Sequence, residues 1–285
     1  MTGDTRASIP RPLDKDGPNT SSRAGALTDV AFWDSQQTVA RTGLVDAHRP
    51  KWFGVLSSFL PQSPNTTFLE VGVVPGGVMF FFAQKMRYRC TGLDFSPQVR
   101  HLPALFAKQG IEATFVEADF LNWASDETFD IVYSNGFIEH FTDYETVIHK
   151  HWERVRPGGL MIVGVPTFTT LCQWWLRRFF YEPWLLEKVV SSHNFDIMKV
   201  ETLKKTALKI CENAEVVRAI REPGMPIWFR YNSVGIRRGL GRTIVWIFLK
   251  VVDRVLRSLG IVSRWCSGAA VLLVKKRMDQ QAVGD

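Results

Sequence analysis

Long apolar runs are missing from this chain of 285 residues. No stretch approaches the roughly 20 apolar residues that span a bilayer. The opening segment, MTGDTRASIPRPLDKDGPNTSSRAG, has no apolar core of secretory-leader type. It is rich in Pro, Ser, Thr, Asp and Arg, and such a composition buries too little apolar surface to order itself. Residues 1–27 are therefore expected to form a disordered tail. Cysteine is sparse: Cys90, Cys172, Cys211 and Cys266 are scattered, with no CxxC pair. They read as ordinary thiols of a reducing compartment. A cytoplasmic protein is expected, with attachment to a membrane surface left open. His149 and His151 have no nearby cysteines to complete a zinc pattern, and no metal is expected. Acidic excess is absent too, since the formal charge is +7. A basic balance favours anionic partners without selecting one. The basic residues are scattered or tied to apolar helices, and no known nucleic-acid-binding module is visible, so nucleic acid is not an expected partner.

What is present is enough apolar residue, 46% of the chain, for one domain with a real core. Thr28 or Asp29 can cap a short helix carrying Phe32 and Trp33. A second helix is expected over 46–59. Strands are expected at 67–71, 88–93, 113–117, 129–134 and 160–165, separated by helices over 78–83, 96–109 and 144–155. A helix over 201–212 and strands at 215–220 and 268–274 follow. Most of these strands are continuously apolar rather than alternating, which indicates a mostly parallel sheet covered on both faces. The expected fold is α/β: a Rossmann-like, mostly parallel seven-stranded sheet with helices on both faces. A helical cover is expected from 28–60, 167–192 and 221–265, all within one domain, 28–285.

Ligands of such sheets bind beyond the carboxyl ends of the strands. Gly72, Asp94, Asp119 and Asn135 all fall at those ends. Gly72 permits a sharp turn, and Gly76 and Gly77 bring backbone close to a ligand and open the next helix. Free N–H groups at that helix start suit a carboxylate or a phosphate. Asp94, about twenty residues past the turn, can accept both hydroxyls of a ribose. The plainer alternatives are a tight turn without ligand, and carboxylates that only cap the segments after them.

These segments resemble the class I S-adenosylmethionine-dependent methyltransferases. LEVGVVPGG (69–77) resembles the first motif, with Glu70 as its acidic residue. GLDFSP (92–97) resembles the ribose segment and EADF (117–120) the adenine segment. FDIVYSNGFIEHF (129–141) and VRPGGLMIVGVP (155–166) resemble the later motifs, and HNFDIMKVETLKK, from His193, the next helix. The resemblance covers 68–166 well and extends loosely to the final strand. It implies S-adenosylmethionine as cofactor, with Glu70 fixing the first turn and the methionine amino group. Gly72 and Gly76 would line the methionine part, and Asp94 with Phe95 the ribose. Asp119 would accept from the adenine amino group, with Phe120 near the ring. Asn135 and Gly136 would line the methionine end beside the substrate. Val74 departs from the pattern, since a smaller residue is usual there. A stiff, β-branched side chain narrows the site if it faces the ligand and changes little if it faces away. A dinucleotide enzyme fits the later motifs less well.

His140, beside Glu139, and His193 are candidate bases, because histidine titrates near neutrality; capping and packing are their plainer uses. Segment 167–190 carries Trp174, Trp175, Arg178 and Tyr181 and reads as a lid over an aromatic or lipid-like acceptor, or as a helical hairpin packed on the sheet. Residues 243–259 form a basic amphipathic helix. It suits a membrane surface, its own domain, or a second copy of the chain. The expected function is methyl transfer to a small-molecule hydroxyl or amine: a sugar, an aromatic metabolite or a lipid-linked precursor. The alternative is a non-catalytic binding or scaffold protein that kept the fold.

Overall fold

A computed structural model of the chain describes residues 25–29, 31–33, 45–167, 171–224, 235–262 and 269–278, with the side chains of 171–175 left aside. Seven strands form one sheet: β1 Thr67–Val71, β2 Arg89–Asp94, β3 Thr114–Glu117, β4 Phe129–Asn135, β5 Val155–Pro166, β6 Ala214–Arg221 and β7 Ala269–Lys276. Their order is β3-β2-β1-β4-β5-β7-β6. β7 runs antiparallel to both of its neighbours, and the other pairs are parallel.

The continuous apolar strands bury both faces. Phe68, Ile131, Tyr133, Ile162 and Leu273 pack on one side with Trp52, Phe82 and Phe106. Leu69, Val132, Met161, Val163 and Leu272 pack on the other with Ile148, Trp152 and Leu203. The helices are α1 Phe53–Leu56, α2 Gly77–Phe81, α3 Leu102–Ala107, α4 Tyr144–Glu153, α5 Leu171–Phe180, α6 Pro183–Ser191, α7 Val200–Ile210 and α8 Leu240–Ser258. Within the segment 167–190, the described residues from Leu171 on form a helical hairpin, α5 and α6. It shares a separate apolar cluster with α8, built on Leu176, Phe180, Tyr181 and Ile236.

Three expectations are corrected. The helix over 46–59 shrinks to α1 and a 3₁₀ turn at Ser57–Phe59. Pro50 disfavours the helical region for Arg49, so 45–50 runs without helix, and the His48 N–H donates to the Gly77 carbonyl at 2.8 Å. The helix over 96–109 divides into a 3₁₀ turn, Pro97–His101, and α3, because Pro103 has no N–H to continue the ladder. Residues 25–27, placed in the tail, instead pair with 140–142. Ala26 bridges Phe141, and the Leu27 N–H donates to the His140 carbonyl at 2.8 Å.

Gly92 on β2 shows how tightly the first turn sits on the sheet. A Cβ there would lie 2.8 Å from Val73 Cγ2 and 2.9 Å from Met79 Sδ. Gly92→Ala should therefore destabilise the fold by about 1–3 kcal/mol, the usual range for overpacking. Urea unfolding of both proteins checks this.

Candidate active site

β1 ends at Val71, and Gly72 follows with a φ of +75°, which suits glycine. The N–H groups of Gly72 and Val73 both donate to the Leu93 carbonyl, at 2.8 and 3.2 Å, so the turn folds across the end of β2. Asp94 then locks it. Its Oδ2 accepts from the Val74 N–H at 3.0 Å and its Oδ1 from the Ser96 N–H at 2.9 Å. A carboxylate oxygen can accept two bonds, so this tether is compatible with ligand hydroxyls.

Val74 is buried in the apolar core beside the sheet, 3% exposed, and its side chain faces away from the cleft. The departure from a small residue therefore leaves the cleft its width. Gly76, expected to line the methionine part, does not reach it. A Cβ there would meet Leu102 and Phe106 at 3.2 Å, so this glycine serves packing of α2 on α3. Glu70 is buried beneath the turn and accepts from the Met79 backbone, so it braces the turn rather than lining the cleft. Burial holds its carboxyl well above the usual range.

The carboxyl ends of β1, β2 and β4 open into a cleft. Of the residues expected at the site, Gly72, Asp94, Phe95, Asn135, Gly136 and His140 line it. Gly164 lets Asn135 lie over β5, since a Cβ there would sit 2.3 Å from Asn135 Oδ1. Asp119 and Phe120 do not line the cleft. Asp119 Oδ2 accepts from the Asn122 amide at 2.8 Å, and Phe120 packs beneath Phe137 and His151, with ring centroids 6.0 and 4.6 Å away.

Sequence reading missed Ala26, Thr28, Trp33, Ser96, Phe137 and Phe141, which complete the lining. Trp33, beside Phe32 just ahead of the polar run Asp34-Ser35-Gln36-Gln37, was the available signal. Its ring meets His140 edge-on at 4.7 Å, and its indole N–H donates to Thr28 Oγ1 at 3.1 Å.

His140 is buried within this wall, with Nδ1 at 2.7 Å from the Ser192 carbonyl. Burial, and then the neighbouring His193, lower it to about 3. Burial first, and Arg177 among the further causes, lower His193 to about 4. Both imidazoles are thus neutral at physiological pH, not poised near neutrality as expected. Of the expected acceptor-contacting residues, Arg178 is exposed and Tyr181 is buried with Phe180 and Ile236; neither lines the cleft. Trp174 and Trp175 fall on α5, and their side chains lie outside the described residues.

Residues 68–159 match the family model of a methyltransferase domain. This stretch carries a methyltransferase domain, and the sheet around it has the class I architecture. Similar curated proteins are the trans-aconitate 2-methyltransferase of Streptomyces coelicolor, 27% identical over 47% of this chain and 45% of that one, and the ajmaline N-methyltransferase of Rauvolfia serpentina, 35% identical over 36% of each. The matched stretch thus spans less than half the length of these relatives. Among solved structures, a Haemonchus contortus phosphoethanolamine N-methyltransferase 2 bound to S-adenosylhomocysteine aligns with a TM-score of 0.53 and 16% identity. The alignment covers 79% of this chain and 52% of that one, a likeness of fold. S-adenosylmethionine is the cosubstrate of this class.

His151, fully buried against Phe120 and Phe137, gives a pH test of the cleft floor. Burial lowers its pKa to about 4, against about 6.5 in the unfolded chain. Between these values only the unfolded state binds the proton, so stability falls as pH falls from 6.5 towards 4. At pH 5 the loss from this residue is about 2 kcal/mol relative to pH 7.5. His151→Phe should remove about that much of the acid sensitivity, read as the difference in urea-unfolding free energy between the two pH values.

Proposed function

We propose that the chain transfers a methyl group from S-adenosylmethionine to a small-molecule acceptor. The supporting observation is one cleft that joins Gly72, Asp94 and Phe95 to Asn135, Gly136 and His140. The residues fit the cosubstrate: Gly72 presents bare backbone to the cleft, Asp94 presents a carboxylate fixed by two N–H groups, and Val74 faces away. Asp94 would hold the ribose hydroxyls, while Asn135, Gly136 and Gly72 flank the methionine end. When bound, the cosubstrate supplies an electrophilic methyl on a sulfonium. The chain's part is to align the acceptor with that methyl and to exclude water. Phe137, Phe141, Trp33 and the neutral His140 form the apolar wall for this. Glu70, Gly76 and Phe120 act behind the cleft, by bracing it. The open width beside Val74 favours this reading over a scaffold that has lost its ligand. Calorimetric titration with S-adenosylhomocysteine should show one site per chain. Asp94→Asn should weaken binding about tenfold or more, the worth of a charged hydrogen bond. An intact, folded chain that binds neither form of the cofactor would leave the scaffold reading standing.

The partner surface proposed for this enzyme is an anionic bilayer. One side of α8 packs on the helical cover through Val245, Trp246, Leu249, Val252 and Leu256. Its other side leaves Leu240, Ile244, Ile247, Phe248, Val251 and Val255 exposed, at the spacing of one helix face. Exposed Lys250 and Arg254 border that face, and their charge, with the chain's +7, complements acidic headgroups rather than a second basic copy. No described helix is long and apolar enough to cross the membrane. The chain should co-sediment with phosphatidylglycerol-containing vesicles and not with phosphatidylcholine alone, and Phe248→Glu with Val251→Glu should abolish this. A dimer in light scattering that the same pair dissociates, without vesicle binding, would assign the face to a second copy instead.

A further inference from the structure

Glu139, His140 and His193 are brought together by the fold across more than fifty residues of sequence. One ligand-capable atom from each lies within 4.8 Å of the others. Glu139 stands at the 3₁₀ turn Ile138–His140 that follows β4, and it is 1% exposed. Neither oxygen of its carboxyl group has a hydrogen-bond partner from another described residue, and only its own backbone N–H favours the charged form. A buried carboxyl left in that state is costly and calls for a proton or a cation. Its Oε1 lies 3.9 Å from His140 Nε2.

Both imidazoles are held in one orientation. His140 Nδ1 lies 2.7 Å from the Ser192 carbonyl, and His193 Nδ1 lies 2.7 Å from the Val189 carbonyl. A carbonyl only accepts, so each Nδ1 carries the proton and the lone pair of each ring is on Nε2. A backbone carbonyl that takes one ring N–H and so directs the other nitrogen is the usual support of a metal-bound histidine. The sequence hides the pattern, because Glu139 and His140 are adjacent while His193 arrives from beyond the α5–α6 hairpin.

We propose that Glu139, His140 and His193 form a binding site for one divalent transition-metal ion at the wall of the cleft. Two imidazoles and one carboxylate suit zinc, iron(II), manganese or cobalt rather than magnesium or calcium. Around a four-coordinate ion with bonds of about 2.1 Å, ligand atoms stand about 3.4 Å apart, so closing on the ion takes side-chain shifts of about an ångström. Arg177 lies near enough to His193 to oppose positive charge there. The Glu139 carboxylate offsets it, and an anionic or oxygen-bearing fourth ligand offsets it further. His140 is the member that lines the cleft, so an acceptor oxygen is the candidate for that position. This last use rests on the methyl-transfer reading; the ion site does not.

The test is a titration of the chelator-stripped full chain with zinc and, separately, with cobalt, followed by calorimetry and by visible absorption. The expected result is one ion per chain, with cobalt d–d bands. Affinity should fall at least tenfold in Glu139→Gln and in His193→Ala, and stay unchanged in His149→Ala, whose ring is exposed on α4. Glu139→Gln keeps the shape of the side chain, and its circular dichroism and melting show whether it is folded. No stoichiometric ion, or binding that Glu139→Gln leaves intact, overturns the proposal. S-adenosylhomocysteine titrated into the same stripped protein reads the cofactor site separately, so failure of one site is distinguishable from failure of the other.

Discussion

The grip of Asp94 on the first turn is the constraint on which the site depends. One carboxylate takes the N–H of Val74 from the β1 turn and the N–H of Ser96 from the segment after β2. The Leu93 carbonyl adds two more bonds from Gly72 and Val73. The turn therefore lies flat across the ends of two parallel strands. With its backbone held on the cleft side, the Val74 side chain goes into the core, and Gly76 is pressed against α3. A glycine-rich loop normally gains access to a ligand by lacking side chains. Here the loop carries two valines, Val73 and Val74, and both are buried in the core.

Behind the cleft, burial decides the electrostatics. Desolvation penalises the charged form of every group, so it lowers histidines and raises carboxyls. His140, His151 and His193 are driven below their usual range, while Glu139 rises to about 8. The wall is thus closer to a set of neutral dipoles and lone pairs than to a row of titrating bases. That suits a reaction in which positioning matters more than proton transfer at neutral pH.

Much of this was legible in the sequence. The seven strands fall within a few residues of their expected places, apart from β5, which starts earlier, because apolar runs, glycines and prolines mark them locally. Gly72, Asp94 and Asn135 could be placed at the cleft because the carboxyl edge of a parallel sheet is a position that sequence order defines, whereas Asp119, placed by the same argument, lies off its lining, and Gly136 came from the family resemblance. Direction was not legible. No local signal says that Val74 points inward, that Phe120 supports Phe137 rather than facing the cleft, or that Tyr181 belongs to the cluster under α8. Nor could spacing reveal Glu139, His140 and His193 as neighbours, since that depends on how the hairpin between them returns. Pro50 and Pro103 were visible in the sequence, and their effect on the two shortened helices was readable there but outweighed by apolar periodicity.

A crystal structure of the chain with S-adenosylhomocysteine tests the central claim most directly. The account predicts ribose hydroxyls on the Asp94 carboxylate, the methionine end between Gly72 and Asn135, and Val74 still in the core. A ligand seated elsewhere, or an empty cleft at saturating concentration, would contradict it.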